Sequence, residues 1–141
     1  MVWRGLTKRC ARCGAGRLFD GWFRLRERCP RCGYRFEREE GFFTGAYLVN
    51  LAVTEGLAFV ALMVFVFLRG IADIEVPLLP VVAVLIAFAV LAPIAFYPFA
   101  KTTWAAIDLA ARPLEPVEEA EAATAAPDWH PPSGIRPRRR R

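Results

Sequence analysis

From Cys10 to Gly33 the chain reads CARCGAGRLFDGWFRLRERCPRCG, two Cys-x-x-Cys pairs separated by fifteen residues. Each pair is followed directly by glycine, Gly14 and Gly33. Four thiolates at this spacing match a tetrahedral site that draws two ligands from each of two tight turns, with Cys10, Cys13, Cys29 and Cys32 as ligands and zinc as the expected metal. Glycine suits such turns because a backbone position of positive φ penalises a Cβ. Four thiolates around one divalent ion leave net negative charge, and the eight arginines from Arg9 to Arg35 supply an offsetting field. CPRCG also suits iron in a rubredoxin-like site. Two disulfides in an exported domain are the bland alternative. Met1 to Gly5 lacks the apolar run of a signal peptide, and the charge distribution below places the thiols in a reducing cytosol.

Around the knuckles, Phe23-Arg24-Leu25-Arg26 and Tyr34-Arg35-Phe36-Glu37 alternate apolar with charged, the pattern of half-buried strands. With Arg17-Leu18-Phe19 as a third strand and Asp20-Gly21 as a turn, residues 1–41 are expected to form a small β zinc ribbon. So small a module cannot hold together by apolar burial alone, so the metal must supply much of its folding energy. Its basic strands suit nucleic acid. Anionic lipid headgroups account for the same charges more simply.

Hydrophobic residues make up 55% of the 141-residue chain, yet its formal net charge is +5. The two facts separate along the sequence. Residues 1–42 carry eleven Lys or Arg and five acids, residues 43–100 one Arg and three acids, and residues 101–141 seven basic residues and six acids. Two apolar stretches, about 43–68 and 76–100, are long enough to span a bilayer. Pro77 and Pro80 fall in the first turns of the second, where missing amide hydrogens matter little. The short link from Arg69 to Glu75 makes the spans an antiparallel α-helical hairpin within residues 42–112. The basic N-terminal flank, with Lys101 and Arg112 at the exit, puts both termini in the cytoplasm. Phe42, Phe43 and Tyr47 should share one membrane interface with Tyr97, Phe99 and Trp104.

Inside the first span, Asn50, Thr54 and Glu55 are the intramembrane polar candidates. Tyr47, Asn50 and Thr54 share a helix face. Glu55, about 100° from Thr54, is expensive in hydrocarbon and is by default a functional candidate. The hypothesis is that Pro93, which frees the carbonyl of Ala89, faces Asn50, Thr54 and a hydrogen-bond-donating Glu55. The alternative is that these groups hold two helices or a homo-oligomer together. Thr102 to Ala111 either extends the second helix or lies along the headgroups as a juxtamembrane helix, with Trp104, Ile107 and Ala111 on one side and Asp108 off it. Residues 113–141, rich in Pro, Ala and Glu and ending in arginines, are expected to be disordered.

Arg4-Gly5-Leu6, the knuckle Cys10–Gly14, Gly16-Arg17-Leu18-Phe19, the knuckle Cys29–Gly33, Phe36 and the run Arg38-Glu39-Glu40-Gly41 together resemble domain-of-unknown-function family 983, small bacterial membrane proteins. The resemblance covers roughly residues 3–110. Ala11 departs from the proline common at that position, which leaves all four ligands in place. The resemblance implies a cytosolic zinc-binding head on two spans in the bacterial inner membrane. Some relatives are encoded beside haem–copper oxidase assembly genes, implying an accessory role in building respiratory complexes. His130, the lone histidine, lies in the tail, and no nucleophile–base pair or phosphate-cradling loop is present. The expectation is therefore a non-enzymatic membrane protein that contacts lipids and either docks on a membrane complex or self-associates. A metal or redox carrier and a nucleic-acid-binding tethered ribbon are the alternatives.

Overall fold

The computed structural model describes residues 1–70, 75 and 77–126. In chain order they form helix α1 (Val2–Leu6), strands β1 (Phe19–Asp20) and β2 (Arg24–Leu25), helices α2 (Thr44–Gly70) and α3 (Leu78–Ala111), and helix α4 (Pro116–Ala125). The link expected between the spans lies mostly outside the described residues, as does the arginine-rich end.

Helices α2 and α3 pack side by side and are long and apolar enough to cross a membrane. In their most apolar eighteen-residue windows, 6% of α2 and 0% of α3 is buried within the protein. A core helix of a soluble protein would be covered, so these exposed apolar flanks point to lipid. Helix α3 runs unbroken through Pro93 and Pro98 and continues past the expected end of the span to Ala111. Of the two expectations for residues 102–111, extension of the second helix is the one observed.

The head is less sheet-like than the alternation predicts. β1 and β2 pair antiparallel over two residues each, Phe19 with Leu25 and Asp20 with Arg24. Arg17, expected inside a strand, has φ +58°, which ends extended structure there. The segment 34–37 makes only one isolated bridge, Arg28 to Arg35. Its alternation still sorts burial correctly: Tyr34 and Phe36 are buried against each other edge to face at 5.4 Å, and Arg35 is exposed.

The head does not close on residues 1–41 alone. Its core joins Cys10, Leu18, Cys32, Tyr34 and Phe36 to Phe42 and to Ala105, Ala106 and Leu109 of α3. The last turns of α3 therefore serve as the core helix of the head. Helix α1 lies across them: a Cβ on Gly5 would sit 2.6 Å from the Thr102 carbonyl oxygen, and the Thr102 hydroxyl donates to the Gly5 carbonyl at 2.6 Å. The buried face here is Thr102, Ala105, Ala106, Asp108 and Leu109, whereas the sequence reading put Trp104, Ile107 and Ala111 on one side and left Asp108 off it.

Helix α4 occupies residues 116–125 of the segment expected to be disordered. Ala and Glu favour helix, Pro116 opens it, and Glu115 and Glu118 form a reciprocal capping box. Ten residues are marginal alone. Contacts with the head hold them: Arg38 pairs with Glu118, Arg28 pairs with Glu121 at 3.1 Å, and a Cβ on Gly33 would overlap the Ala122 carbonyl.

Candidate metal centre

Both knuckles are built by the same hydrogen bonds. In the first, the Gly14 amide donates to the Cys10 carbonyl at 2.8 Å and the Cys10 amide to the Ala15 carbonyl at 2.8 Å. In the second, the Gly33 amide donates to the Cys29 carbonyl at 3.0 Å and the Cys29 amide to the Tyr34 carbonyl at 2.8 Å. Gly14 and Gly33 have φ of +76° and +68°, the left-handed geometry for which the sequence reading invoked glycine.

These turns bring the four sulfurs within 4.8 Å of one another. Cys10 Sγ lies 3.8 Å from Cys32 Sγ, and Cys13 Sγ lies 3.6 Å from Cys29 Sγ. A tetrahedron with metal–sulfur bonds of about 2.3 Å has edges of about 3.8 Å, so the spacing fits one thiolate-ligated ion. All four cysteines are free thiols, not the two disulfides of the alternative reading. Cys10, Cys29 and Cys32 are buried and Cys13 is partly so.

Hydrogen bonds to Cys29 and Cys32 push the Cys10 thiol up from its ordinary value, and the bond to Cys10 pulls Cys29 down. Packed sulfurs can thus carry one thiolate by sharing protons, but holding all four deprotonated requires a cation among them. Arginines also brace the knuckles: Arg12 Nη1 donates to the Cys32 carbonyl at 3.3 Å and Arg4 Nη1 to the Arg12 carbonyl at 3.4 Å. With every ligand supplied by the chain, such a site is closed.

A second cluster escaped the sequence reading. The Arg38 guanidinium makes a forked contact with Glu118 at 2.6 and 2.7 Å, and its Nη1 reaches Asp108 at 2.9 Å and the Arg112 carbonyl at 2.8 Å. Asp108 also accepts from Arg112 at 2.6 Å. The Glu118 bonds hold Arg38 above its ordinary range, and Arg38 in turn holds the Glu118 carboxyl below its own. The signal was Asp108 itself, an acid on an otherwise apolar helical run, but its partners lie 70 residues earlier and four later.

The intramembrane candidates divide. Asn50 and Thr54 are buried against α3, with exposures of 4% and 3%. Asn50 Nδ2 donates to the Pro93 carbonyl at 3.0 Å, whereas the Thr54 hydroxyl donates to the Asn50 carbonyl within its own helix at 2.9 Å. The Pro93 region does face Asn50, but through its own carbonyl and not that of Ala89. Glu55 is exposed on the outside of the hairpin and takes no part. One residue past Thr54 on a helix is a rotation of about 100°, which carries it off the shared face.

Where the head meets the long helices, four of the six aromatics expected at the interface lie close together. Phe42 packs on Phe43 at 5.6 Å and on Trp104 at 6.2 Å, and Lys101 Nζ lies 4.9 Å from the ring centres of both Phe43 and Tyr97. Lys101 also donates to the Phe23 carbonyl at 3.1 Å, tying the β1–β2 turn to this level.

A four-thiol cluster on a pair of apolar helices defines a membrane protein with a metal-binding head. The family described as "Protein of unknown function (DUF983)" matches residues 19–108, and the chain belongs to it. The match takes in Cys29, Cys32 and both long helices, while Cys10 and Cys13 precede it. No curated protein and no solved structure matches the chain.

Proposed function

We propose that the chain is a non-enzymatic bacterial inner-membrane protein whose cytosolic head holds one structural zinc ion and acts as an accessory or assembly factor for a membrane complex. The observation that carries this reading is the junction of head and span. The closed thiol cluster shares one core with the end of α3, which fixes a small basic surface at the membrane boundary. Such an arrangement suits presentation to a protein partner better than chemistry. The family resemblance points to respiratory complexes as the class of partner. The aromatic side chains around Lys101 support a head set against lipid, and the arginines nearest the knuckles favour a cytosolic side.

Purification of the tagged full chain in mild detergent under reducing conditions, with bound metal and co-purifying proteins measured together, tests the reading. One zinc per chain, resistant to a mild chelator, together with a reproducible membrane-complex subunit, is the expected result. Copper, or zinc lost at once to the chelator, would shift the thiols from scaffold to carrier, a reading that the partly exposed Cys13 favours.

A further inference from the structure

Glu55 sits eleven residues into α2, about 16 Å along the axis from Thr44, near the middle of a hydrocarbon layer about 30 Å thick. It is exposed, and among the described residues it has no hydrogen-bond or ion-pair partner. An ionisable side chain at that depth normally faces protein or water. Its surroundings are shaped for a helix. Leu48, Ala52, Glu55, Phe59 and Leu62 recur at alternating steps of four and three and are all exposed, a seam of the kind along which two helices pack. Beside the seam, Gly56 leaves open space, with nothing within 4 Å of where a Cβ would lie.

We propose that this face of α2 is a self-association surface, occupied by α2 of a second copy of the chain and closed by the two Glu55 side chains. The chemistry selects that occupant. A neutral carboxyl group has both a donor and an acceptor, so two of them facing each other satisfy each other completely. A two-fold axis along the membrane normal brings identical residues together at identical depth. Among the described residues of the two spans, Asn50 and Thr54 are already buried within the hairpin, and residues 78–96 of α3 carry no hydrogen-bonding side chain.

The test uses full-length protein labelled with donor and acceptor dyes and reconstituted in phosphatidylcholine–phosphatidylglycerol vesicles, with energy transfer followed as lipid dilutes the protein. Wild type should associate, and Glu55→Gln, whose amide also donates and accepts, should stay close to it. Glu55→Leu should weaken association roughly tenfold, and Gly56→Leu should weaken it by blocking close approach. Metal content of the head, measured on each variant, shows that the variant folded. Wild-type transfer no greater than random co-localisation, or Glu55→Leu associating as wild type does, overturns the proposal. So does loss of association in Glu55→Gln with its head intact.

Discussion

Arg38 and Asp108, seventy residues apart, meet at 2.9 Å with side-chain exposures of 9% and 3%, and through them the head is bolted to the end of α3. Burying one charge of such a pair without the other is far worse than burying neither. Asp108→Ala leaves Arg38 its fork to Glu118, so it should cost about 1.5–3 kcal/mol, the worth of a charged hydrogen bond, and Arg38→Lys should be costly too because an ammonium cannot reproduce that fork. Protease digestion of the head in detergent, with the apolar helices as internal control, measures the loss. Wild-type resistance of Asp108→Ala would show that the pair carries no coupling.

Docking of α4 should depend on acid. Arg38 lowers the Glu118 carboxyl below its ordinary 4.5, so its contribution is complete at neutral pH and above. As pH falls below 4.5 through the lowered value, the carboxyl takes up a proton and the contribution disappears. Amide exchange across residues 116–125 should rise over that range in wild type, beyond the intrinsic pH effect. In Glu118→Gln it should be high throughout and lack the added step.

Gly33 serves two purposes, a left-handed turn for the second knuckle and close approach to Ala122. Gly33→Ala should thus raise exchange in α4 and loosen metal binding together. Gly14→Ala, whose Cβ would meet only the Arg4 side chain at 3.7 Å, should affect the metal alone. Parallel titration with a colorimetric chelator and exchange mass spectrometry distinguishes the two.

Removing the metal should unfold the head and spare the spans. The head's sheet is two residues per strand, and its core is arranged around the sulfurs, so a strong chelator or Cys29→Ser should abolish near-ultraviolet circular dichroism from its aromatics. Far-ultraviolet signal from α2 and α3 should largely persist. Retention of the aromatic signal without metal would mean that the head is held by packing.

Close packing at the foot of the head offers a sharper local test. Gly5→Val should push α1 off α3, since even a Cβ there crowds the Thr102 carbonyl and Thr103. A cost of about 1–3 kcal/mol is expected, read as earlier thermal loss of head structure.

What the sequence disclosed follows the range of the interactions. The knuckles and the two long apolar helices are local patterns, set by spacing, length and composition, and they are where the reading placed them. Of the two readings of Glu55, the one that turned it toward Pro93 fails because a helical rotation of one residue decides it, and only the packing partner fixes the origin of that rotation. Helix α4 was missed because its stability comes from Arg38 and Arg28, which lie 80 and 93 residues upstream of its anchoring acids Glu118 and Glu121. Composition alone registers the helix formers but not the clamp.

Helix α3 is 34 residues long, about 51 Å at the usual rise, and only about 30 Å of that fits inside hydrocarbon. The remainder is the spine of the head. The helix is continuous from anchor to metal-binding unit, so the inclination of the anchor carries over to the attitude of the head. In a thicker bilayer the helix must stand straighter and in a thinner one lean further. The thiol cluster then swings through the same angle and carries its basic face toward or away from whatever lies beside it.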